Sequence, residues 1–234
     1  MTGIQKRQAL AYLMFLKRKR CGTIKARGYA DGRKQRAYIA KEDAASPTVS
    51  TEALFITAVI DALEEREVAI VDVPGAFMQA DMGSLVHVRF TGKMVELLLE
   101  IDPEEYGPYI TTEKDQKVLY VKLLKALYGT IRAARLFYEK LCCKLQEWGF
   151  EDNKYDACVA NKTVNGKQLT ITWHVDDLKV SHVDASVVNK FLFQLDDEFG
   201  RETPTNKSRG QVHSYLGMTL NFTNKGSVHI DMGN

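Results

Sequence analysis

The chain reads as an α+β domain of the ferredoxin-like βαββαβ order, interrupted by one long insertion. Three observations predict it. A short, mostly β-branched run, Val68-Ala-Ile-Val-Asp-Val73, stops at Pro74-Gly75 as a buried strand does. Two stretches of alternating apolar and polar residues meet at Asp176-Asp177, as two strands do at a hairpin tip. Two apolar stripes recur at helical spacing: Ala134, Tyr138, Leu141, Leu145 and Trp148, then Val188, Phe191, Leu192, Leu195 and Phe199. With residues 74–130 set aside, the order is strand 68–73, helix 131–148, strands 169–175 and 178–183, helix 184–199, and strand 213–222.

The elements follow in chain order. Residues 50–65 open on Ser50, Thr51 and Glu52, which suit a helix N-terminus. The segment is apolar nearly all round and so predicts a buried helix. Residues 84–115 are mixed, with loops at Pro103, Gly107 and Pro108. Val118-Leu-Tyr-Val-Lys-Leu-Leu124 predicts another strand. Gly149 ends the helix that follows, and Asp184 caps the next one. Residues 200–210 read as a polar, positively biased loop. A weak hairpin is expected around Asn224-Lys-Gly226.

A length of 234 residues suits one large domain or two small ones. With 45% hydrophobic and 26% charged residues, the composition is that of a soluble globular protein. No apolar run approaches ~20 residues, so no membrane span is expected. The N-terminus lacks the apolar core of a signal peptide. Cys21, Cys142, Cys143 and Cys158 show no metal-ligand spacing, and an intracellular protein with reduced thiols is expected. The net charge of +2 conceals an asymmetry: residues 1–36 hold eleven Lys or Arg and one acid, Asp31. A basic arm on a mildly acidic body points to a polyanion partner. A solvated or nuclear-targeting run, Lys17-Arg-Lys-Arg20, is the alternative.

Asp72 falls at the end of a core strand, where packing gives no reason for a carboxylate. In the βαββαβ order the first strand and the hairpin strands can lie side by side as an antiparallel sheet. Asp72 then approaches Asp176 and Asp177. Three acids at one sheet edge are costly unless a cation screens them, and such sets bind divalent metal for phosphoryl chemistry. The order alone does not give function, since it also serves RNA-recognition domains and metabolic modules.

Four ordered blocks carry a family resemblance. They are Gly22-Thr-Ile-Lys-Ala-Arg27 with Ala30-Asp-Gly-Arg-Lys-Gln-Arg36 and Glu42-Asp-Ala-Ala-Ser-Pro-Thr-Val49; then Val71-Asp-Val-Pro-Gly-Ala-Phe-Met-Gln-Ala-Asp81; then Lys125-Ala-Leu-Tyr-Gly129 through Phe137-Tyr-Glu-Lys-Leu141; and last Tyr155-Asp-Ala-Cys-Val159, His174-Val-Asp-Asp177 and Tyr215-Leu-Gly217. In these, over roughly residues 12–222, the chain resembles the reverse transcriptase domain of copia-type LTR retrotransposons. His174 stands where the family usually has tyrosine, and Thr130-Ile-Arg-Ala-Ala-Arg-Leu-Phe137 departs from its commoner pattern.

The resemblance implies a right-hand polymerase palm with fingers, its thumb largely missing from this chain. The division expected is an N-terminal fingers region with the basic arm at 1–67, a palm strand at 68–83, a fingers insertion at 84–130, palm at 131–222, and the start of a truncated connection at 223–234. It implies RNA-directed DNA polymerase activity. By the same resemblance Asp72, Asp176 and Asp177 are implied as the catalytic acids and, with the Val73 carbonyl, as ligands of two Mg²⁺ ions, for which Mn²⁺ can substitute. Lys25, Arg27, Phe77 and Gln79 are implied at the nucleotide, with Phe77 under its sugar. Tyr128, Gly129, Arg132, Tyr215, Leu216 and Gly217 are implied at primer and template. The partners are an RNA template, a DNA primer strand, deoxynucleoside triphosphates and, in a polyprotein, other retroelement Pol domains. The location implied is the cytoplasm or a virus-like particle, with the nucleus open as well. A catalytically inactive, nucleic-acid-binding remnant of such an element is the alternative function.

Overall fold

The computed structural model describes residues 1–18 and 22–233. Lys19, Arg20 and Cys21 lie outside the described residues, so the basic run 17–20 is only partly seen. The chain divides into two compact units, Met1–Ala45 with Phe77–Leu136, and Ser46–Ala76 with Phe137–Asn234.

The first unit is a five-stranded sheet in the order Ile24–Ala30, Leu10–Arg18, His87–Thr91, Gln116–Lys122, Thr111–Glu113. Within the basic N-terminal segment, Leu10–Arg18 pairs antiparallel with Ile24–Ala30. Leu10, Ala30, Met82, Val86 and Val88 form the core, and Tyr12 stacks on Phe90 at 4.4 Å. The mixed segment 84–115 resolves into strand His87–Thr91, helix Lys93–Ile101 and the short strand Thr111–Glu113.

The second unit carries α1 (Thr51–Leu63), β1 (Glu67–Asp72), the greater part of α2 (Ala133–Glu147), β2 (Glu151–Asp152), β3 (Val159–Val164), β4 (Lys167–His174), β5 (Asp177–His182), α3 (Ala185–Phe199) and β6 (Asn206–Arg209). β7 (Val212–Tyr215), β8 (Met218–Asn221) and β9 (His229–Asp231) make a separate small sheet. The main sheet runs β6-β1-β5-β4-β3-β2, antiparallel throughout. Its first four members keep the ferredoxin-like arrangement. α2 and α3 meet through rings: Phe137 lies edge-on to Phe199 at 5.9 Å, and Trp148 edge-on to Phe191 at 5.9 Å. Burial of Val188, Phe191, Leu192, Leu195 and Phe199 matches the predicted stripe of α3. On α2 the buried stripe is Ala133, Phe137, Leu141 and Leu145, one residue round from the predicted start, which leaves Tyr138 half-buried.

Three expectations are corrected. The segment 213–222 is two strands, β7 and β8, because Leu216 (φ 51°) and Gly217 (φ 78°) are both left-handed and make a tight hairpin turn. The strand that completes the main sheet is instead β6, inside the segment read as a loop. All four of its residues are exposed, so no apolar alternation marks it. α1 buries only Leu54, Thr57, Ala58, Asp61 and Ala62, while Ile56, Val59 and Leu63 face outward. A helix lying on one face of a sheet covers one stripe, however apolar its other side.

β6 is fastened to the end of α3 by Asp196. Its carboxylate accepts the Thr205 N–H and hydroxyl, both at 2.8 Å, and pairs with Lys207 at 3.0 Å. The backbone hydrogen bond from Thr205, then the Lys207 contact, hold its pKa down at about 2, against an ordinary 3.8. The stabilisation is therefore complete above the ordinary value and is lost as pH falls toward the depressed one. Asp196→Asn should remove this part of the acid sensitivity, read by denaturant unfolding of both proteins down through about pH 4 to pH 2.

Candidate active site

β1 ends on Asp72 because Pro74-Gly75 turns the chain away, and β4 turns into β5 through Val175 (φ 58°) and Asp176. The antiparallel register places Asp177 opposite Asp72 on one side and opposite His174 on the other. Val73 N–H donates to the Asp176 carbonyl at 3.0 Å, which carries the pairing one step beyond the strands. The Asn206 amide donates to Asp72 Oδ2 at 2.7 Å. The Tyr215 hydroxyl donates to the Asp177 carbonyl at 3.3 Å.

The electrostatics follow from this crowding. Burial raises the Asp177 pKa, and the negative charges of Asp176 and Asp72 raise it further, while His174 opposes them. All three acids are partly exposed, so solvent still reaches them. The donor set is hard oxygen with a surplus of negative charge, which fits a divalent cation of the magnesium type. Among the described residues, no group of three or more His, Cys, Asp or Glu side chains is already arranged to hold a metal. The acids thus fit such an ion by their chemistry, not by a ready-made coordination geometry. Val73 has its side chain fully buried and can offer only its backbone carbonyl.

Other residues expected at the site fall in two places. In this second unit, Tyr215 is 2% exposed, so its ring is internal; the turn residues Leu216 and Gly217 form the tip of the β7–β8 hairpin. Burial pushes the Tyr215 hydroxyl well above its usual range, so it stays a donor.

The remaining candidates belong to the first unit. Phe77 and Tyr128 are in ring contact at 4.4 Å, and Gln79 ends the short helix Ala76–Gln79. Lys25 and Arg27 are exposed on alternate positions of one strand and share a face with Tyr29. Ala30 N–H donates to the Tyr128 carbonyl at 2.8 Å. A Cβ on Gly129 (φ 87°) would fall 2.1 Å from the Ala30 carbonyl oxygen, so only glycine allows this approach. Arg132 has its Nε buried without a hydrogen-bond partner. Beside these residues opens a cleft of about 750 Å³, lined by Tyr29, Asp31, Arg33, Arg36, Gly129 and Ile131 among others. Arg33 and Arg36 fall inside the block Ala30–Arg36 and the basic stretch 1–36, but sequence reasoning gave neither a role.

A ferredoxin-like sheet with carboxylates at the adjoining ends of two neighbouring strands is suited to divalent-metal phosphoryl chemistry. The family model described as reverse transcriptase (RNA-dependent DNA polymerase) matches residues 6–231, and the chain belongs to that family. Among solved structures, it is similar to telomerase from Candida albicans in complex with a fragment of telomeric RNA. That likeness has 12% identity and a TM-score of 0.48, and covers 100% of this chain and 48% of the other. The chain therefore spans about half the length of that telomerase chain. No curated protein sequence matches it. Among the described residues, no helix is long and apolar enough to cross a membrane.

Since the folded state raises the Asp177 pKa, this group's contribution to stability falls as pH climbs from the ordinary carboxylate value through the raised one. In chelator-treated protein at neutral pH, Asp177→Asn should raise the melting temperature by on the order of 2 °C. It should also flatten that segment of the pH profile. Thermal unfolding across the range checks both.

Proposed function

We propose that this domain is the RNA-directed DNA polymerase of a copia-type retrotransposon, extending a DNA primer on an RNA template. The observation that carries the reading is the pairing of Asp72 with Asp177 on adjacent strands within a reverse transcriptase family chain. On this reading the second unit is the palm, and the first unit serves as fingers.

Asp72, Asp176 and Asp177 would hold two Mg²⁺ ions, with the Val73 carbonyl as a further oxygen ligand. When bound, such ions lower the barrier to attack by the primer 3′-hydroxyl and stabilise charge on the departing pyrophosphate. The chain's own residues do the remaining work. Lys25 and Arg27 neutralise the triphosphate, for which a guanidinium offers paired donors. Phe77, buttressed by Tyr128, sits beneath the sugar and excludes a 2′-hydroxyl. Gln79 and Arg132 line the nucleotide and template side. The Leu216–Gly217 turn offers backbone to the primer, and Tyr215 anchors that turn to the catalytic strand through the Asp177 carbonyl. The basic first hairpin meets the polyanionic template, so binding should weaken steeply with salt. Other Pol domains would be partners in a polyprotein, within the cytoplasm or a virus-like particle.

Asp176→Asn should reduce Mg²⁺-dependent primer extension on poly(rA)–oligo(dT) by about a thousandfold or more, with template-primer affinity kept. If the wild-type chain extends nothing yet binds template-primer as Asp176→Asn does, a non-catalytic nucleic-acid-binding remnant is the correct reading. Phe77→Ala should raise ribonucleotide incorporation relative to deoxyribonucleotide by about tenfold or more, measured as the ratio of kcat/KM values.

A further inference from the structure

Lys179 lies two residues beyond Asp177 on β5 and is 1% exposed. Its ammonium is bonded to Asp61 in the last turn of α1, whose carboxylate is fully buried. The other oxygen of Asp61 accepts from the Ser181 hydroxyl, also on β5. Arg66, with its side chain 3% exposed, lies 3.9 Å from the same carboxylate and donates to Thr170 of β4 at 2.9 Å. Its own N–H donates to the Asp61 carbonyl at 2.8 Å, just before β1 begins. One carboxylate therefore ties α1 directly to β5 and, through Arg66, to β4 and the entry of β1. These are the strands whose ends carry Asp72, Asp176 and Asp177.

Apolar alternation fixes which face of β5 turns inward, but its period of two leaves shifts by two residues undecided. A buried charge removes that freedom. Lys179 stands opposite Ile70 on β1 and Thr172 on β4. A shift by two would place Asp177 or Ser181 where Lys179 meets Asp61. A shift by one would send the ammonium to the face held by Leu178 and Val180, both fully buried. Either move strands a desolvated charge, and the cost of breaking a buried pair is large even where its net worth is small.

We propose that Asp61 and Lys179 are positioning residues that pin the register of the catalytic hairpin, holding Asp177 opposite Asp72 without touching substrate. This rests on the polymerase reading only for its consequence in catalysis; the pinning itself is a property of the fold.

The test is the paired apolar replacement Asp61→Leu with Lys179→Met, compared with wild type by three measurements. Melting temperature should stay within about 5 °C of wild type, since the apolar pair dispenses with its desolvation cost while the Ser181 hydroxyl loses its acceptor. Cross-strand proton contacts between β1 and β5, read by NMR, should change from one register to more than one. Primer extension should fall about ten- to a hundredfold in kcat, with KM for the nucleotide nearly kept. A double variant that keeps the single wild-type register overturns the proposal, whatever its activity. One that fails to fold overturns it as well, because the pair would then be a requirement of folding. If wild type extends no primer, the polymerase reading of this chain fails, while the NMR contacts still decide the pin.

Discussion

Everything in the second unit depends on one antiparallel pairing, that of β1 with β5. It joins segments more than a hundred residues apart in sequence, with the Phe77–Leu136 part of the first unit inserted between them. Three carboxylates repel one another at its end, so the pairing is held against a local electrostatic cost. The opposing forces are the fully buried aliphatic residues Val71, Leu178 and Val180, and backbone bonds on both flanks, from β6 to β1 and from β4 to β5. Three carboxylates gathered at one sheet end destabilise that end unless a cation screens them. The surrounding sheet has to be rigid enough to bear their repulsion.

Legibility in the sequence followed burial. β1, β4, β5 and α3 stand out because both or one of their faces are packed, and packing writes a period into the residues. β6 is exposed along its whole length and is made a strand only by its neighbour, so its residues Asn206–Arg209 carry no period at all. β3 has a signal that was open to reading, the left-handed Asn165-Gly166 pair that turns it into β4. The break between β7 and β8 was less open, since it needs Leu216 in a conformation that leucine rarely adopts.

The juxtaposition of Asp72 with Asp176 and Asp177 was legible for a related reason. A carboxylate at the end of an apolar run contradicts its surroundings, and contradiction is visible without coordinates. Tyr215 was not legible in the same way. A tyrosine beside a turn suits a surface contact as well as the internal place it has here, where its hydroxyl reaches the backbone of β5. Lys179 was hidden by its own ordinariness: a lysine between apolar residues looks like the solvent side of a half-buried strand. Only the partner, Asp61, reveals it as internal, and the spacing between them exceeds any local pattern.

The main sheet ends on one side in β2, two residues long, and on the other in β6, whose outward row includes Lys207 and Arg209. A flat, apolar margin would offer its free peptide groups to any passing strand. Here one margin is too short to template a partner and the other is charged. Neither margin therefore invites another sheet to join it edge to edge. These margins act as insulation against aggregation, at the cost of making those same strands the hardest to recognise.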